Sequence, residues 1–241
     1  THSALSPSGT PAWFDVATRS AKALVYMEKV NINSSDIITD ESLKNAMIVH
    51  AACGGSTNLL LHIPAIAHSA GKKRMKVEDW TKINLDVPRL VDVLPNGPIG
   101  HPTSQLYAAG AVPEVMLHLR KLGLLDTKVK TATGQTLDEN LNWWKDSHRR
   151  HEMRSYLLDN DHVDPEKIIM TPKNAKSRGL TSTVTFPKGN IAPEGSVIKS
   201  TAIDPTVVDE DGVYRNTGSA RVFRSEREAI RSIKSKNEKQ K

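Results

Sequence analysis

The residues best suited to chemistry are two glycines followed by three short polar residues: Gly54, Gly55, Ser56, Thr57 and Asn58. An apolar run follows them, so the pattern indicates a loop that opens a helix. The first backbone N–H groups of a helix have no partner within it, and that end carries a partial positive charge. Glycines let a ligand approach this backbone, which suits an anion such as a carboxylate or a phosphate. The residues leave a second interpretation open, in which Ser56 or Thr57 only caps a buried helix.

Other chemical patterns are incomplete. No Lys-Ser/Thr pair follows the glycines as in a phosphate-binding P-loop, and the nucleophile pattern G-x-S-x-G is absent. Cys53 is the one cysteine of the chain, which favours a packed core residue, because a lone cysteine cannot hold an iron–sulfur cluster. His148 and His151 lie among charged residues and indicate a solvated helix face. The acidic segment 159–164 lacks the glycine and glutamate of a calcium loop and is predicted as a turn.

Two helices are predicted to position the glycine loop. The first is capped by Thr39 or Asp40 and ends at Cys53, because Gly54 can adopt the left-handed conformation of a helix stop. Its inner face is predicted to carry Leu43, Ala46, Met47 and Ala51. The second helix runs to about residue 70 and is apolar on every side, so we expect it to be buried. Pro64 lies inside it and predicts a kink or a later helix start.

The remaining elements follow from capping residues, periodicity and turn signals. Helices are predicted at 13–29, 77–86, 113–122, 136–144 and 225–233, the last two opened by capping boxes. The segment LPNGPIGHP at 94–102 is predicted as a loop. Strand-like segments are predicted at 127–132, 167–170, 180–186 and 196–200. The fold class expected is α/β: a C-terminal part of an α/β domain at 1–160, the start of a β-rich domain at 161–235, and a polar tail at 236–241.

Composition limits the classes of protein. The chain has 241 residues, 38% of them hydrophobic and 25% charged, which is typical of a soluble globular protein. No apolar run is long enough to span a membrane, and no signal pattern precedes the first helix, so a cytoplasmic location is expected, with an organelle interior as the alternative. The net charge of +6 raises the possibility of nucleic-acid binding. We expect no nucleic-acid partner, because the basic patches carry no aromatic residues that could stack on bases.

The motifs resemble one enzyme family in order along the chain. The segment at 46–71, AMIVHAACGGSTNLLLHIPAIAHSAG, resembles the core motif of the dihydroxy-acid dehydratase and phosphogluconate dehydratase family. The resemblance extends to 1–24 before it and 77–126 after it, and to KGNIAPEGSVIK and SARVFRSEREAI further on. The details LLLHIPAIAHSAG, DVLPNGPIGHPT and ENLNWW are most similar to the sugar-acid branch, which acts on acids such as D-xylonate.

The resemblance implies a hydro-lyase that converts a 2,3-dihydroxy acid into a 2-keto-3-deoxy acid. It implies an iron–sulfur cluster, whose iron acts as a Lewis acid on the leaving hydroxyl, and Mg²⁺, which binds the carboxylate side of the substrate. It also implies a small-molecule sugar acid as substrate and a homo-oligomer, either dimer or tetramer. Of this chain's residues, Gly54, Gly55, Ser56, Thr57, Asn58 and His62 are the ones predicted to line the substrate pocket.

The family's catalytic motifs are missing from the sequence. Its cluster cysteines lie in motifs such as C-D-K, and its catalytic serine in T-D-x-R-F-S-G, and neither motif occurs here. We therefore assign no catalytic residue, cluster ligand or Mg²⁺ ligand, and expect the chain to be an internal fragment that is inactive alone. The alternative function is a non-catalytic truncated product that associates with an intact dehydratase subunit. Apolar helix faces, such as those at 43–52 and 59–70, are then expected to be exposed in the isolated chain.

Overall fold

The computed structural model describes residues 5–97, 99–211 and 213–235 of the chain. It is mostly helical. The helices are α1 Pro11–Lys29, α2 Ser34–Ile37, α3 Asp40–Cys53, α4 Leu59–Ser69, α5 Val77–Asp86, α6 Thr103–Ala108, α7 Ala111–Lys121, α8 Leu137–Asp146, α9 His148–Asn160, α10 Pro172–Ser177 and α11 Glu226–Ser235. The strands are β1 Val184–Thr185 and β2 Ile198–Lys199, and short 3₁₀ turns lie at Pro165–Lys167, Ser200–Ala202 and Pro205–Val207.

Local signals explain where the best-predicted helices begin and end. The Thr39 hydroxyl accepts from the Ser42 N–H at the start of α3, and Gly54 at φ 62° and ψ 48° ends that helix in the left-handed region. Thr136 and Glu139 form the expected capping box at α8, where the Thr136 N–H donates to the Glu139 carboxylate at 2.7 Å. The predicted helix 77–86 is confirmed as α5.

The core lies around α3, which packs against α4, α5 and α7. Leu43, Met47 and Ala51 on the predicted inner face are buried, and Ala46 is half-buried against the same cluster. Two segments outside the helices complete the core, one after α5 and one before α10. They pair through an isolated antiparallel bridge between Val91 and Ile169. Because α3 is surrounded, its end at Gly54 is held in one place.

The helix predicted to follow the glycine loop, α4, differs from expectation in its start and its burial. The helix α4 begins at Leu59, so Pro64 does not delay its start. Its expected burial is wrong within this chain: of its residues, Ile63 and Ala67 are buried, whereas Leu59, Leu61 and Ile66 are exposed. Burial depends on what packs around a helix, and in the described part of the chain only one side of α4 meets the core.

The β content is lower than predicted. Helices and a sheet both occur, as an α/β class requires, but within the described residues the sheet is a single antiparallel pair of β1 and β2. The strand predicted at 127–132 is wrong, because Lys130 makes only an isolated bridge to Thr136. The segment predicted at 167–170 likewise contributes one bridge. Turn-rich sequence therefore produced irregular backbone where a β-rich segment was expected.

The chain forms two compact units, Thr1–Ala202 and Ile203–Lys241. The first contains α1 to α10, both strands and the core. The second contains α11 and an isolated bridge between Val208 and Tyr214, and none of its described side chains is buried. The division expected near residue 160 stays a prediction for a longer protein, and the polar tail at 236–241 lies outside the described residues.

Within the described residues, no helix combines the length and the apolar character that crossing a membrane requires.

Candidate functional site

Gly54 lies directly against two side chains from other parts of the chain. A Cβ placed on Gly54 would come within 2.7 Å of Thr183 Cγ2 and 2.9 Å of Arg89 Nε. Its positive φ is also unfavourable for any side chain. Two independent constraints therefore require glycine here, and they fix where the loop leaves α3.

The loop at 94–101 braces Gly54 from one side. The Asn96 side-chain amide donates to the Gly54 carbonyl at 2.9 Å, and Arg89 Nη2 donates to the Asn96 carbonyl at 2.6 Å. Arg89 also donates from Nε to the Val91 carbonyl at 3.2 Å and is buried. Burial lowers the pKa of Arg89, and the nearby Asp92 carboxylate opposes that change. Arg89 is thus a buried cation that donates to two backbone carbonyls and so supports Asn96.

His50 holds the loop from the other side. Its backbone carbonyl accepts from the Gly55 N–H at 2.9 Å, and its Nε2 lies 2.9 Å from the Ser56 carbonyl oxygen. A Cβ on Gly55 would lie 2.4 Å from His50 Cδ2, so the loop approaches this ring as closely as only glycine permits. The ring also packs edge-on against Trp80, with centroids 5.4 Å apart.

The polar residues of the loop face outward. Ser56, Thr57 and Asn58 are exposed. The Ser56 hydroxyl accepts from the Asn58 N–H at 3.3 Å, and Asn58, at the helix-cap position, makes no side-chain capping bond. The Ser56 hydroxyl thus accepts from the backbone N–H two residues on, as a capping side chain does, which supports capping by Ser56 beside the binding interpretation. Among the described residues no acceptor meets the Ser56 or Thr57 N–H, which leaves two neighbouring donors at the start of an 11-residue helix.

His62 lies one helical turn beyond the loop. Its N–H donates to the Asn58 carbonyl at 3.1 Å, and its side chain is exposed. It lines a groove between α2 and α4, together with Ser34, Ile38, Ala65, Ile66, Ser69 and Ala70. The five loop residues are consecutive and His62 follows one turn later, but the groove that His62 lines includes none of the five.

Cys53 is a packing residue. It lies against the core cluster, and burial raises the pKa of its thiol to about 12. A thiol in that state is neutral at physiological pH, whereas nucleophiles and metal ligands are thiolates. The prediction of a packed core residue agrees with this environment.

The donor set of this chain does not fit an iron–sulfur cluster or a Mg²⁺ site. Its one cysteine has a raised pKa, and cluster ligation needs several thiolates. Among the described residues no group of three or more His, Cys, Asp or Glu side chains could hold a metal ion. The loop at 54–58 contains no carboxylate, whereas its hydroxyls and N–H groups can donate hydrogen bonds to an anion.

Comparisons with known proteins show the family. A sequence model described as dihydroxy-acid/6-phosphogluconate dehydratase N-terminal matches residues 1–140, more than half of the 241. The chain therefore belongs to the dihydroxy-acid/6-phosphogluconate dehydratase family. The resemblance inferred from the motifs is confirmed.

Within the family, two relatives are D-xylonate dehydratases of Escherichia coli (strain K12). The chain is 58% identical to D-xylonate dehydratase YjhG and 59% identical to D-xylonate dehydratase YagF, in each case over 233 residues and 97% of its length. It is 35% identical over 219 residues, 91% of its length, to dihydroxy-acid dehydratase 1 of Cupriavidus pinatubonensis. The chain spans 36% of the length of each E. coli relative and 34% of the third.

Sequence reasoning missed the supporting residues. His50, Arg89 and Asn96 are not adjacent to one another in the chain, and only the folded core brings them against the loop. A partial signal existed for Asn96, since Pro-Asn-Gly at 95–97 indicates a turn that can present a side chain. Nothing in the sequence around His50 distinguishes a loop-holding histidine from a core histidine.

Proposed function

We propose that this chain is part of a sugar-acid dehydratase of the D-xylonate type. The observation that carries the proposal is its 58–59% identity to two D-xylonate dehydratases over 97% of its length, against 31–35% to the dihydroxy-acid dehydratases. The reaction is a dehydration. The proton on C2 and the hydroxyl on C3 leave as water, and the resulting enol becomes a 2-keto-3-deoxy acid.

The role proposed for this chain is substrate binding. A sugar acid is an anion, and the Ser56 and Thr57 N–H groups form a pair of outward donors at a helix N-terminus. We assign them to the substrate carboxylate, with the Ser56 and Thr57 hydroxyls as further donors. His62, one turn along α4, is assigned to the sugar chain beyond the carboxylate.

The chemical steps belong to residues outside this chain. The family resemblance implies an iron–sulfur cluster, Mg²⁺ and a homo-oligomer for the complete enzyme, and the donors present here do not fit either metal group. Chain 1–241 alone is therefore expected to bind without dehydrating.

A segment exchange tests the activity. The 233-residue segment of E. coli D-xylonate dehydratase YjhG that matches this chain is replaced by this chain's residues, and water loss from D-xylonate is measured with cluster and Mg²⁺ supplied. We expect the exchanged enzyme to be active and chain 1–241 to be inactive under the same conditions. A folded, cofactor-loaded exchanged enzyme that ignores D-xylonate, or prefers a branched 2,3-dihydroxy acid, would overturn the proposal.

A single substitution tests the binding role. Thr57 is the second residue of the turn closed by the Leu59 N–H to Ser56 carbonyl bond, a position that accepts proline. Thr57→Pro removes the proposed donor N–H, whereas the control Thr57→Ala removes only the hydroxyl. In the exchanged enzyme we expect the proline variant to raise the KM for D-xylonate by about tenfold with little change in kcat, as for loss of a ground-state binding contact. Equal KM values for the two variants would contradict the assignment.

A further inference from the structure

His50 is a buried histidine that contacts the loop through both its backbone and its ring. It is 3% exposed. Its carbonyl accepts the Gly55 N–H and its Nε2 reaches the Ser56 carbonyl, each at 2.9 Å. Gly55 leaves no space between loop and ring, since a Cβ there would meet His50 Cδ2. The histidine and the loop are therefore closely packed and joined by two hydrogen bonds.

The hydrogen bond to Ser56 fixes the state of the ring. A carbonyl oxygen only accepts, so His50 Nε2 must carry the hydrogen. His50 Nδ1 is buried and has no partner among the described residues, so a second proton there would be unpaired. Burial lowers the pKa of His50, and the bond to Ser56 opposes this only in part. His50 is consequently a neutral Nε2–H donor at physiological pH.

The direction of the Ser56 carbonyl determines the direction of the next N–H. The peptide bond between Ser56 and Thr57 is planar and trans, so its carbonyl and its N–H point in opposite directions. The carbonyl is held on the protein side by His50 Nε2 and by the Leu59 N–H at 3.1 Å. The Thr57 N–H is therefore directed away from the protein interior.

We infer that His50 is a positioning residue that aims the Thr57 N–H at the substrate carboxylate. This rests on the proposed function, because it assigns the support of the same binding loop. His50 touches no substrate atom and acts through the Ser56–Thr57 peptide. The ring has a second contact, with Trp80, that would persist without any donor.

Two substitutions separate aiming from packing. His50→Phe keeps an aromatic ring against Trp80 but has no donor. His50→Gln loses the ring but keeps an amide N–H at nearly the position of Nε2. A residue that only fills space is replaced better by Phe, whereas a positioning donor is replaced better by Gln.

The experiment measures kcat and KM for D-xylonate in the exchanged enzyme, with melting temperatures to verify folding. We expect His50→Phe to raise KM by about tenfold with kcat within about twofold, and His50→Gln to stay within about threefold of the parent KM. In a Thr57→Pro background, His50→Phe should raise KM no further, because the N–H it aims is already gone.

The outcomes distinguish the two claims. If His50→Phe matches or outperforms His50→Gln, or if its effect adds fully to that of Thr57→Pro, the positioning role is wrong while the binding role of the loop stands. If Thr57→Pro leaves KM unchanged, the loop does not bind the carboxylate, and the role of His50 falls with it.

Discussion

At the scale of single residues, Gly54 is constrained both by its backbone conformation and by close packing, and comparison with a second glycine separates the two effects. Gly54 and Gly123 both have positive φ, 62° and 68°. A Cβ on Gly123 meets nothing within 4 Å, whereas one on Gly54 meets Arg89 and Thr183. The cost of adding a side chain at Gly123 therefore comes from the backbone conformation alone. At Gly54 it comes from the conformation and the close packing together.

We predict that Gly54→Ala destabilises the chain by about 3 kcal/mol and Gly123→Ala by about 1 kcal/mol. The shared part is the cost of a side chain in the left-handed region, and the difference is the strain of forcing Arg89 or Thr183 aside. Urea unfolding of both variants at low micromolar concentration measures the two values. Equal losses in the free energy of unfolding would mean that the Arg89 and Thr183 side chains move away from a new Cβ at Gly54 at no energetic cost.

A pH dependence follows from His50. Burial lowers its pKa in the folded state, so between that value and the unfolded value near 6.5 the unfolded chain binds more protons. Stability should therefore fall as the pH drops below about 6.5. His118 has a pKa lowered for the same reason and contributes in the same direction. Unfolding free energies from pH 7.5 to 5 should show a shallower slope in His50→Gln than in the parent chain, and parallel slopes would contradict the assignment to His50.

The sequence predicted this site only as far as local chemistry reaches. Gly54 as a helix stop and the loop 54–58 as a helix start follow from neighbouring residues, and both are present. The bond from His50 to the Ser56 carbonyl and the brace from Asn96 to Gly54 join the loop to residues whose side chains gain their positions only from the packed core. Spacing along the chain does not encode such contacts.

At the scale of elements, one buried carboxylate joins three helices. Glu114 of α7 accepts two hydrogen bonds from Arg150 of α9, both at 2.7 Å, and one from Trp144 of α8 at 3.2 Å. Arg154 of α9 lies 3.6 Å from the same carboxylate. Burial raises the pKa of Glu114, but the hydrogen bonds and charges of the two arginines lower it by more, so the group stays ionised.

We predict that Glu114→Gln destabilises the chain by about 3 kcal/mol, because the partly buried Arg150 loses the carboxylate to which it donates two hydrogen bonds, whereas Arg154 keeps its ion pair with Glu166. The control is Asp15→Asn, which removes an exposed carboxylate 2.8 Å from Arg19 and should cost less than about 0.5 kcal/mol. Urea unfolding measures both. A loss below about 1 kcal/mol for Glu114→Gln would mean that the apolar contacts of α7 hold the helices without the cluster.

The elements also differ in how well they were predicted. The helix α8 was predicted from its capping box, because that signal lies inside the element, and α5 was predicted with the bounds that it has. The strand predicted at 127–132 failed, since a strand needs a partner of matching length and Lys130 finds one bridge. Burial of α4 failed for the same reason, because apolar composition states what a helix can bury and not what covers it.

At the scale of the whole molecule, apolar side chains are exposed on several elements, and the helices α1 and α4 each carry a group of them. Trp13, Phe14, Leu24 and Val25 of α1 are exposed. So are Leu59, Leu61 and Ile66 of α4, which agrees with the expectation of an exposed face at 59–70, whereas the face at 43–52 is buried. Contiguous exposed apolar surface drives association in water. The relatives are nearly three times as long as the chain, which covers 36% of them, so they possess chain that could cover such faces.

We predict that chain 1–241 self-associates through α4 as its concentration rises, and that Leu61→Glu suppresses this. Leu61 is 73% exposed on the apolar helix, and a carboxylate there opposes burial of the face. Leu85 of α5 is 80% exposed and lies on a helix with a polar outer surface, so Leu85→Glu is the matched control. Light scattering measures the mean molar mass of the chain at roughly 5 to 200 μM, the range in which such surfaces associate. Association that persists in Leu61→Glu, or disappears equally in Leu85→Glu, would assign it to another surface, with α1 as the next to test.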